Sequence, residues 1–254
     1  MVVDSNRQPR DEHCGAGKNV MTEVGNQVSR RSLNDGEDSF EVTVLEAAEP
    51  SRAVLFSVGG GGNPERHLPL LTALAGRGCT VAAPHFARLT SPTPTENELL
   101  LRARRLRLAL DHILRPGLPV TGVGHSIGAT MLLALAGAQA WTRAGQHVPI
   151  TPDTRLDRLV LLAPATDFFR APGALDGVSL PILAWAGTRD EITPPAQTKF
   201  LNDMLGASVE TRIVEGAGHY TFMNCPPPQA TDPFPDREAL LEEIAEIMCR
   251  FITS

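Results

Sequence analysis

The pentapeptide GHSIG at residues 124–128 is the part of the sequence best suited to carry a nucleophile. It directly follows the apolar run LPVTGVG and directly precedes the apolar run IGATMLLALAGAQAW, which are typical of a buried strand and a buried helix. A serine on a sharp strand-to-helix turn exposes its hydroxyl, and flanking glycines remove Cβ atoms where backbone segments approach. Ser126 is therefore the candidate nucleophile for acyl transfer; the alternative is a purely structural glycine-lined turn.

A serine nucleophile needs a base, and in this arrangement the chain order is serine, acid, histidine. Only two histidines follow Ser126. His147 lies in the polar segment TRAGQHVPITPD, whereas His219 lies in EGAGHYTF, just after the last predicted strand. We therefore predict that His219 is the base.

The acid should follow another strand, because the carboxyl ends of parallel strands meet at one edge of the sheet. Asp190 stands one short loop after the apolar run PILAWAG, in the sequence GTRDEITPP. A carboxylate there can hold the imidazole tautomer and stabilise its cation, although it can also simply cap the next helix. Asp190 is the predicted acid, and Glu191 is the alternative.

The fourth requirement is a pair of N–H groups for the developing oxyanion. The backbone of Ile127 follows the nucleophile, and the glycines at residues 59–62 follow the apolar run AVLFSV, so Gly60 and Gly61 are the candidates for the second donor. A phosphate-binding loop is the rival interpretation of these glycines, but no Gly-Lys-Ser/Thr follows them.

His13 and Cys14, which are neighbours in the sequence, are potential metal ligands. They lack a second pair of ligands, so we expect neither a metal nor an organic cofactor.

The elements that must position these residues alternate between strands and helices, which predicts an α/β fold with a mainly parallel sheet covered on both faces. Thr95 and Glu98 have the spacing of a capping box that begins a long helix. The basic segment at residues 102–107 of that helix is predicted to face water. Residues 1–37 are polar and aperiodic, which favours a mobile extension, and residues 38–254 form the predicted domain.

Composition and charge exclude several classes of protein. A net charge of −6 argues against a nucleic-acid partner. The first residues contain no apolar signal-peptide core and no run approaches a membrane span, so a cytoplasmic protein without a membrane span is expected. Four cysteines without a CxxC pair favour free thiols. The oligomeric state stays open, a homodimer included.

The sequence resembles the α/β-hydrolase superfamily, and within it the serine-nucleophile branch called dienelactone hydrolase-like, related to platelet-activating-factor acetylhydrolases. The resemblance covers about residues 40–252 and is carried by the blocks GGGGNPERHLPLLTALAGRGCTVAAPHF, GHSIGATMLLALAGA, LVLLAPATDFF, PILAWAGTRDEITPP and GAGHYTF. It implies the α/β-hydrolase fold and the roles given above for Ser126, Asp190 and His219. Dienelactone hydrolases proper carry a cysteine where this chain has Ser126, and members often carry a histidine where this chain has Val58.

Together these residues predict a serine esterase that cleaves small to medium acyl esters of a small-molecule substrate through an acyl-enzyme. The segment where the superfamily inserts a cap is short here, so only a minimal cap is expected. The same triad can act as a thioesterase, amidase or perhydrolase, and the fold can serve a ligand-binding protein without catalysis. The predicted acyl-pocket and base-adjacent residues are aromatic: Phe168, Phe169, Tyr220 and Phe222.

Overall fold

The computed structural model describes residues 27–36 and 38–254. The strands in these ranges are β1 (Gln27–Asn34), β2 (Ser39–Glu46), β3 (Arg52–Ser57), β4 (Cys79–Pro84), β5 (Val120–His125), β6 (Ala140–Trp141), β7 (His147–Val148), β8 (Leu156–Leu162), β9 (Ile182–Gly187) and β10 (Val209–Val214). The α-helices are α1 (Leu68–Ala75), α2 (Glu96–His112), α3 (Ile127–Leu135), α4 (Pro195–Leu205) and α5 (Arg237–Thr253).

Eight of these strands form one sheet in the order β1-β2-β4-β3-β5-β8-β9-β10. All neighbours from β4 to β10 are parallel, and the pairs β1–β2 and β2–β4 are antiparallel. The strands β6 and β7 form a separate small hairpin. The predicted mainly parallel sheet is therefore confirmed, and the ends of β3, β5, β8, β9 and β10 lie along one edge.

The central strands are apolar on both faces because helices cover both sides of the sheet. In β3, Ala53 and Leu55 belong to a core cluster shared with α2, α3 and α4. Val54 and Phe56 belong to a second cluster, shared with α1 and α5. This follows from the period of two in a strand, where successive side chains point to opposite faces.

Helix α2 begins with the predicted capping box, in which Glu98 Oε2 accepts from Thr95 N at 2.7 Å and Thr95 Oγ1 accepts from Glu98 N at 3.3 Å. The prediction that its basic segment faces water is wrong for two residues. Arg102 and Arg105 are 2% and 8% exposed. They lie three residues apart on the face that carries Leu106. The guanidinium of Arg102 donates to the carbonyl oxygen of Gly59, and that of Arg105 donates to the carboxylate of Asp35.

The predicted N-terminal extension is also corrected. Residues 27–34 form the edge strand β1, which pairs with β2 along its whole length. Arg30 bridges Glu41 and Glu65, and Arg31 pairs with Glu46. Backbone pairing and these ion pairs hold a segment that has little apolar periodicity. The rest of the predicted extension, with His13 and Cys14, lies outside the described residues.

The helix predicted over the apolar run from Ile127 ends earlier than expected. Helix α3 stops at Leu135, and Gly137 has a φ of 115°. A Cβ atom on Gly137 would stand 2.5 Å from the carbonyl oxygen of Gly177, so the chain turns where only glycine fits. The predicted continuation instead forms β6.

The prediction of free thiols holds for two of the cysteines. Cys79 and Cys249 are free, as expected, and both are buried, whereas Cys225 is disulfide-bonded, so the prediction is wrong there.

Within residues 27–36 and 38–254, every helix is too short or too polar to cross a membrane.

Candidate active site

Ser126 occupies the turn between β5 and α3 that the sequence predicted. Its φ of 56° and ψ of −124° lie in a region that residues with a Cβ rarely adopt, at a cost of about 1–3 kcal/mol. The backbone of the turn packs closely against β3 at Gly128, where a Cβ atom would stand 1.9 Å from the carbonyl oxygen of Ser57. A Cβ on Gly124 would stand 2.8 Å from Ala129 N. Both glycines are therefore required by close backbone contacts.

Asp190 and His219 form the pair that the sequence predicted. Asp190 follows β9, His219 follows β10, and His219 Nδ1 lies 2.8 Å from Asp190 Oδ2. The second carboxylate oxygen accepts from the backbone N–H groups of Ile192 at 2.9 Å and Thr193 at 2.7 Å. Burial raises the pKa of Asp190, but the hydrogen bond and charge of His219 and the hydrogen bonds from Thr193 outweigh it, so the pKa lies below its usual value. The neighbouring Glu191 is exposed.

Thr193 is a member of this cluster that the sequence interpretation missed. Its Oγ1 lies 2.8 Å from Asp190 Oδ2, 3.0 Å from His219 Nδ1 and 3.0 Å from the carbonyl oxygen of Ala163. The hydroxyl can therefore accept a hydrogen bond from the imidazole N–H while it donates one to the carboxylate of Asp190 or to the carbonyl oxygen of Ala163. Its only sequence signal was its position three residues after Asp190, where it closes a turn around the carboxylate.

Two buried histidines continue from His219 into the protein. His125 Nε2 lies 3.0 Å from the carbonyl oxygen of His219, so the Nε2–H donates to it. The ring centroids are 4.8 Å apart for His125 and His219, and 5.3 Å apart for His67 and His125. Burial, with the neighbouring His219 and His67, holds the pKa of His125 well below its usual range, and burial with the nearby Arg66 lowers the pKa of His67 to about 3. Both rings are therefore neutral at physiological pH.

The glycine loop after β3 comes close to the serine turn. A Cβ on Gly59 would stand 3.0 Å from His125 Nδ1, and Gly62, with a φ of 79°, would place a Cβ 2.0 Å from the carbonyl oxygen of Phe86. Gly60, Gly61 and Ile127 line one cavity with Ser126. Among the hydrogen bonds of the described residues, the N–H groups of these three lining residues have no acceptor. They are available to a ligand oxygen.

The cavity has a volume of about 820 Å³, and Ser126 and His219 both line it. Of the four predicted pocket aromatics, Phe168 and Tyr220 line it. Phe169 and Phe222 do not: they are 1% and 0% exposed and lie in the two core clusters, so their prediction was wrong. Each lies in a short 3₁₀ helix that also contains a lining residue, and successive side chains of such a helix point in different directions.

Ser126 and His219 line the same cavity, but they are not hydrogen-bonded to each other in the part of the chain that the structure describes. Only a minimal cap was expected in the segment between β8 and β9. This segment contains the 3₁₀ helix Asp167–Phe169 and turns, with no α-helix or strand. Within the described ranges, no three His, Cys, Asp or Glu side chains are grouped as metal ligands.

Comparisons with known proteins support the architecture. No protein-family model and no curated protein matches the sequence. Solved structures do match it. An α/β serine hydrolase homologue from Coxiella burnetii is 18% identical with a TM-score of 0.61, and the match covers 92% of this chain and 100% of that one.

Two further structures are named for their activity. A dienelactone hydrolase from Anabaena variabilis is 21% identical with a TM-score of 0.62, over 89% of this chain and 96% of that one. A butyrate-bound esterase, Est2, from Thermogutta terrifontis is 15% identical with a TM-score of 0.65, over 91% and 95%. At these identities the similarity establishes the fold: the chain has the α/β-hydrolase fold, as its sequence predicted.

Proposed function

We propose that this α/β-hydrolase-fold protein is a serine esterase with Ser126 as nucleophile, His219 as base and Asp190 as acid. The observation that carries the proposal is the hydrogen bond between His219 and the buried Asp190, with His219 lining the same cavity as a serine held at a φ of 56°. A buried carboxylate bonded to imidazole Nδ1 leaves Nε2 as the atom that can accept a proton.

The reaction begins when an ester carbonyl enters the cavity beside Ser126. The hydroxyl oxygen attacks the carbonyl carbon, its proton passes to His219 Nε2, and Asp190 stabilises the imidazolium through Nδ1–H. The oxyanion is held by the N–H groups of Ile127 and Gly60, with Gly61 as the other candidate in the loop. Each donor lies on backbone that is already fixed, which avoids reorganisation during the reaction.

Collapse of this intermediate breaks the bond to the alcohol, which leaves with the proton from His219. The acyl group stays on Ser126 as an ester. Water then attacks the acyl carbon while His219 takes its proton, and the second collapse returns that proton to the Ser126 oxygen and releases the carboxylic acid. Ser126 Oγ and His219 need to approach when substrate binds, since such bonds are often long before the complex forms.

The proposed substrates are esters with small to medium acyl groups. The cavity is within the usual size range for small-molecule sites, and Phe168 and Tyr220 line it. Each methylene that the wall covers is worth about 0.8 kcal/mol, roughly a fourfold gain in kcat/KM. The Thermogutta esterase named above was solved with butyrate, a four-carbon acid, which is consistent with this size.

The test is a panel of p-nitrophenyl esters from acetate to palmitate, with Ser126→Ala as the variant without the nucleophile and a protein-free blank for background hydrolysis. We expect kcat/KM to rise to about butyrate or hexanoate and to fall by decanoate, with no turnover above background in Ser126→Ala. Matched thioester and anilide substrates test the neighbouring reaction classes. Faster turnover of either would reassign the substrate class, and ester turnover by Ser126→Ala at the wild-type rate would refute the mechanism.

A further inference from the structure

The buried guanidinium of Arg102 lies behind the glycine loop and is not among the residues that line the cavity. Its Nη1 donates to the carbonyl oxygens of Gly59 at 3.4 Å and Val58 at 3.5 Å, and its Nη2 donates to that of Ala87 at 3.2 Å. The guanidinium carbon lies 4.6 Å from the ring centroid of Phe86. The side chain therefore joins two segments that both border the cavity.

This charge has an unusual environment. Arg102 is 2% exposed, and among the described residues it has no carboxylate within ion-pair distance. Burial lowers the pKa of Arg102 to about 10, with a smaller opposing effect of Glu98, so the group stays charged at neutral pH. A buried charge without a counter-ion is costly, and here its hydrogen-bond acceptors in the described residues are backbone carbonyls.

Those carbonyls belong to the peptide units that face the cavity. The carbonyl of Gly59 and the N–H of Gly60 are two ends of one peptide group, and the N–H of Gly60 has no acceptor in the described residues. A hydrogen bond to the carbonyl end polarises the peptide group and strengthens its N–H as a donor. The carbonyl of Gly59 also accepts from Gly62 N at 3.1 Å, which adds to the same effect.

We infer that Arg102 is a positioning residue that fixes and polarises the Gly59–Gly60 peptide, so that the N–H of Gly60 binds the developing oxyanion. The inference rests on the proposed esterase function. It singles out Gly60 over Gly61 as the second donor, because the carbonyl of Gly60, which shares a peptide group with the N–H of Gly61, accepts from Leu89 N rather than from the guanidinium. The positive charge also remains close to the loop throughout the reaction.

The same helix supplies a matched control. Arg105 is 8% exposed, lies 4.9 Å from the ring centroid of Phe40 and donates to Asp35 at 2.7 Å. It resembles Arg102 in burial, in helix and in its aromatic contact, but Asp35 and Phe40 are not among the residues that line the cavity. Loss of either arginine should disturb packing, whereas only loss of Arg102 should affect the oxyanion-binding peptide.

The experiment measures kcat and KM for p-nitrophenyl butyrate with wild type, Arg102→Met, Arg102→Lys and Arg105→Met, together with the Ki of a trifluoromethyl ketone that forms an oxyanion on Ser126. Removal of a whole oxyanion donor costs about a hundredfold to a thousandfold in kcat, and here one donor is weakened rather than removed. We expect Arg102→Met to lose about tenfold to a hundredfold in kcat, with KM within about twofold. The Ki should rise by a similar factor, and Arg102→Lys should recover part of the loss.

Urea unfolding of all four proteins separates positioning from stability. The inference stands if Arg102→Met loses kcat while Arg105→Met, with a comparable loss of stability, keeps kcat within about twofold of wild type. It fails if wild type shows Ser126-dependent turnover and Arg102→Met has the wild-type kcat and Ki, or if both arginine variants lose kcat in proportion to stability. Absence of Ser126-dependent turnover in wild type would instead overturn the proposed esterase function, and the inference with it.

Discussion

The two buried histidines next to His219 should make the fold sensitive to acid. His67 and His125 are 0% and 2% exposed, and burial keeps the pKa of both below the ordinary value, to about 3 for His67. In the unfolded chain a histidine is solvated and binds a proton below about pH 6.5. Between these limits the unfolded state binds more protons than the folded state, so stability falls as the pH falls.

The size of the effect follows from the difference in protonation. At pH 4.5 the unfolded histidine is two pH units below its pKa, and at 1.36 kcal/mol per unit the buried His67 ring costs the folded state about 3 kcal/mol. The lowered pKa of His125 acts in the same direction. The contribution of His67 alone is a large part of the 5–15 kcal/mol that ordinary domains possess. Asp190 acts in the same direction at lower pH, because its lowered pKa gives stability that is present above about pH 4 and is lost as the pH falls below it.

Urea unfolding, followed by tryptophan fluorescence from pH 7 to pH 4.5, measures this loss. His67→Asn removes one titrating ring, so its stability should fall by about 3 kcal/mol less than that of wild type over this range, whatever its stability at pH 7. His147→Asn is the control, because it removes an exposed imidazole and leaves both buried rings in place. If wild type and His67→Asn lost stability in parallel, the buried neutral histidine would not be the cause.

Three further predictions concern the candidate site. Asp190→Asn should lower kcat by about a hundredfold to ten-thousandfold, because the amide favours the wrong imidazole tautomer, whereas Glu191→Gln should change kcat by less than about twofold; steady-state kinetics with the opposite ranking would move the acid. Thr193→Val should lower kcat about tenfold with KM unchanged, and Thr193→Ser should restore it; equal rates for both variants would dismiss the hydroxyl. Gly128→Ala should destabilise the fold by more than about 3 kcal/mol, since its Cβ would stand 1.9 Å from Ser57 O; an unchanged urea midpoint would contradict this contact.

The serine turn was predictable because all of its determinants are local. Ser126 stands between two glycines, an apolar strand and an apolar helix, and each of these features is visible within some twenty residues. Asp190 and His219 were predictable for a topological reason, because both follow strands whose carboxyl ends converge.

What escaped prediction depends on contacts between distant residues. Arg102 looks like a surface residue in its charged segment, and only the folded chain brings the segments after β3 and β4 together so that its guanidinium has three carbonyl acceptors. His125 is the unspecified position of the GHSIG motif, and its partner is the backbone of a residue 94 positions away.

The sequence pattern did not predict strand β1, for a different reason. It is an edge strand with one paired side, so its residues have little apolar alternation, and its place is set by backbone pairing to β2. Phe169 was predicted to line the acyl pocket from its place in the short segment between β8 and β9, and Phe222 from its place near the base. The direction of a side chain in a short 3₁₀ helix depends on the packing around it, which the sequence does not show.

The proposal that Ser126 is the nucleophile is tested most directly by measuring whether Ser126 becomes covalently modified. The protein is treated with a fluorophosphonate, and intact-mass and peptide-mapping mass spectrometry locate the adduct in wild type, Ser126→Ala and His219→Ala. We expect one adduct per chain on Ser126 in wild type, none in Ser126→Ala, and labelling slowed by at least about a hundredfold in His219→Ala. A wild-type Ser126 that stays unmodified, or an adduct that persists in Ser126→Ala, would contradict the account.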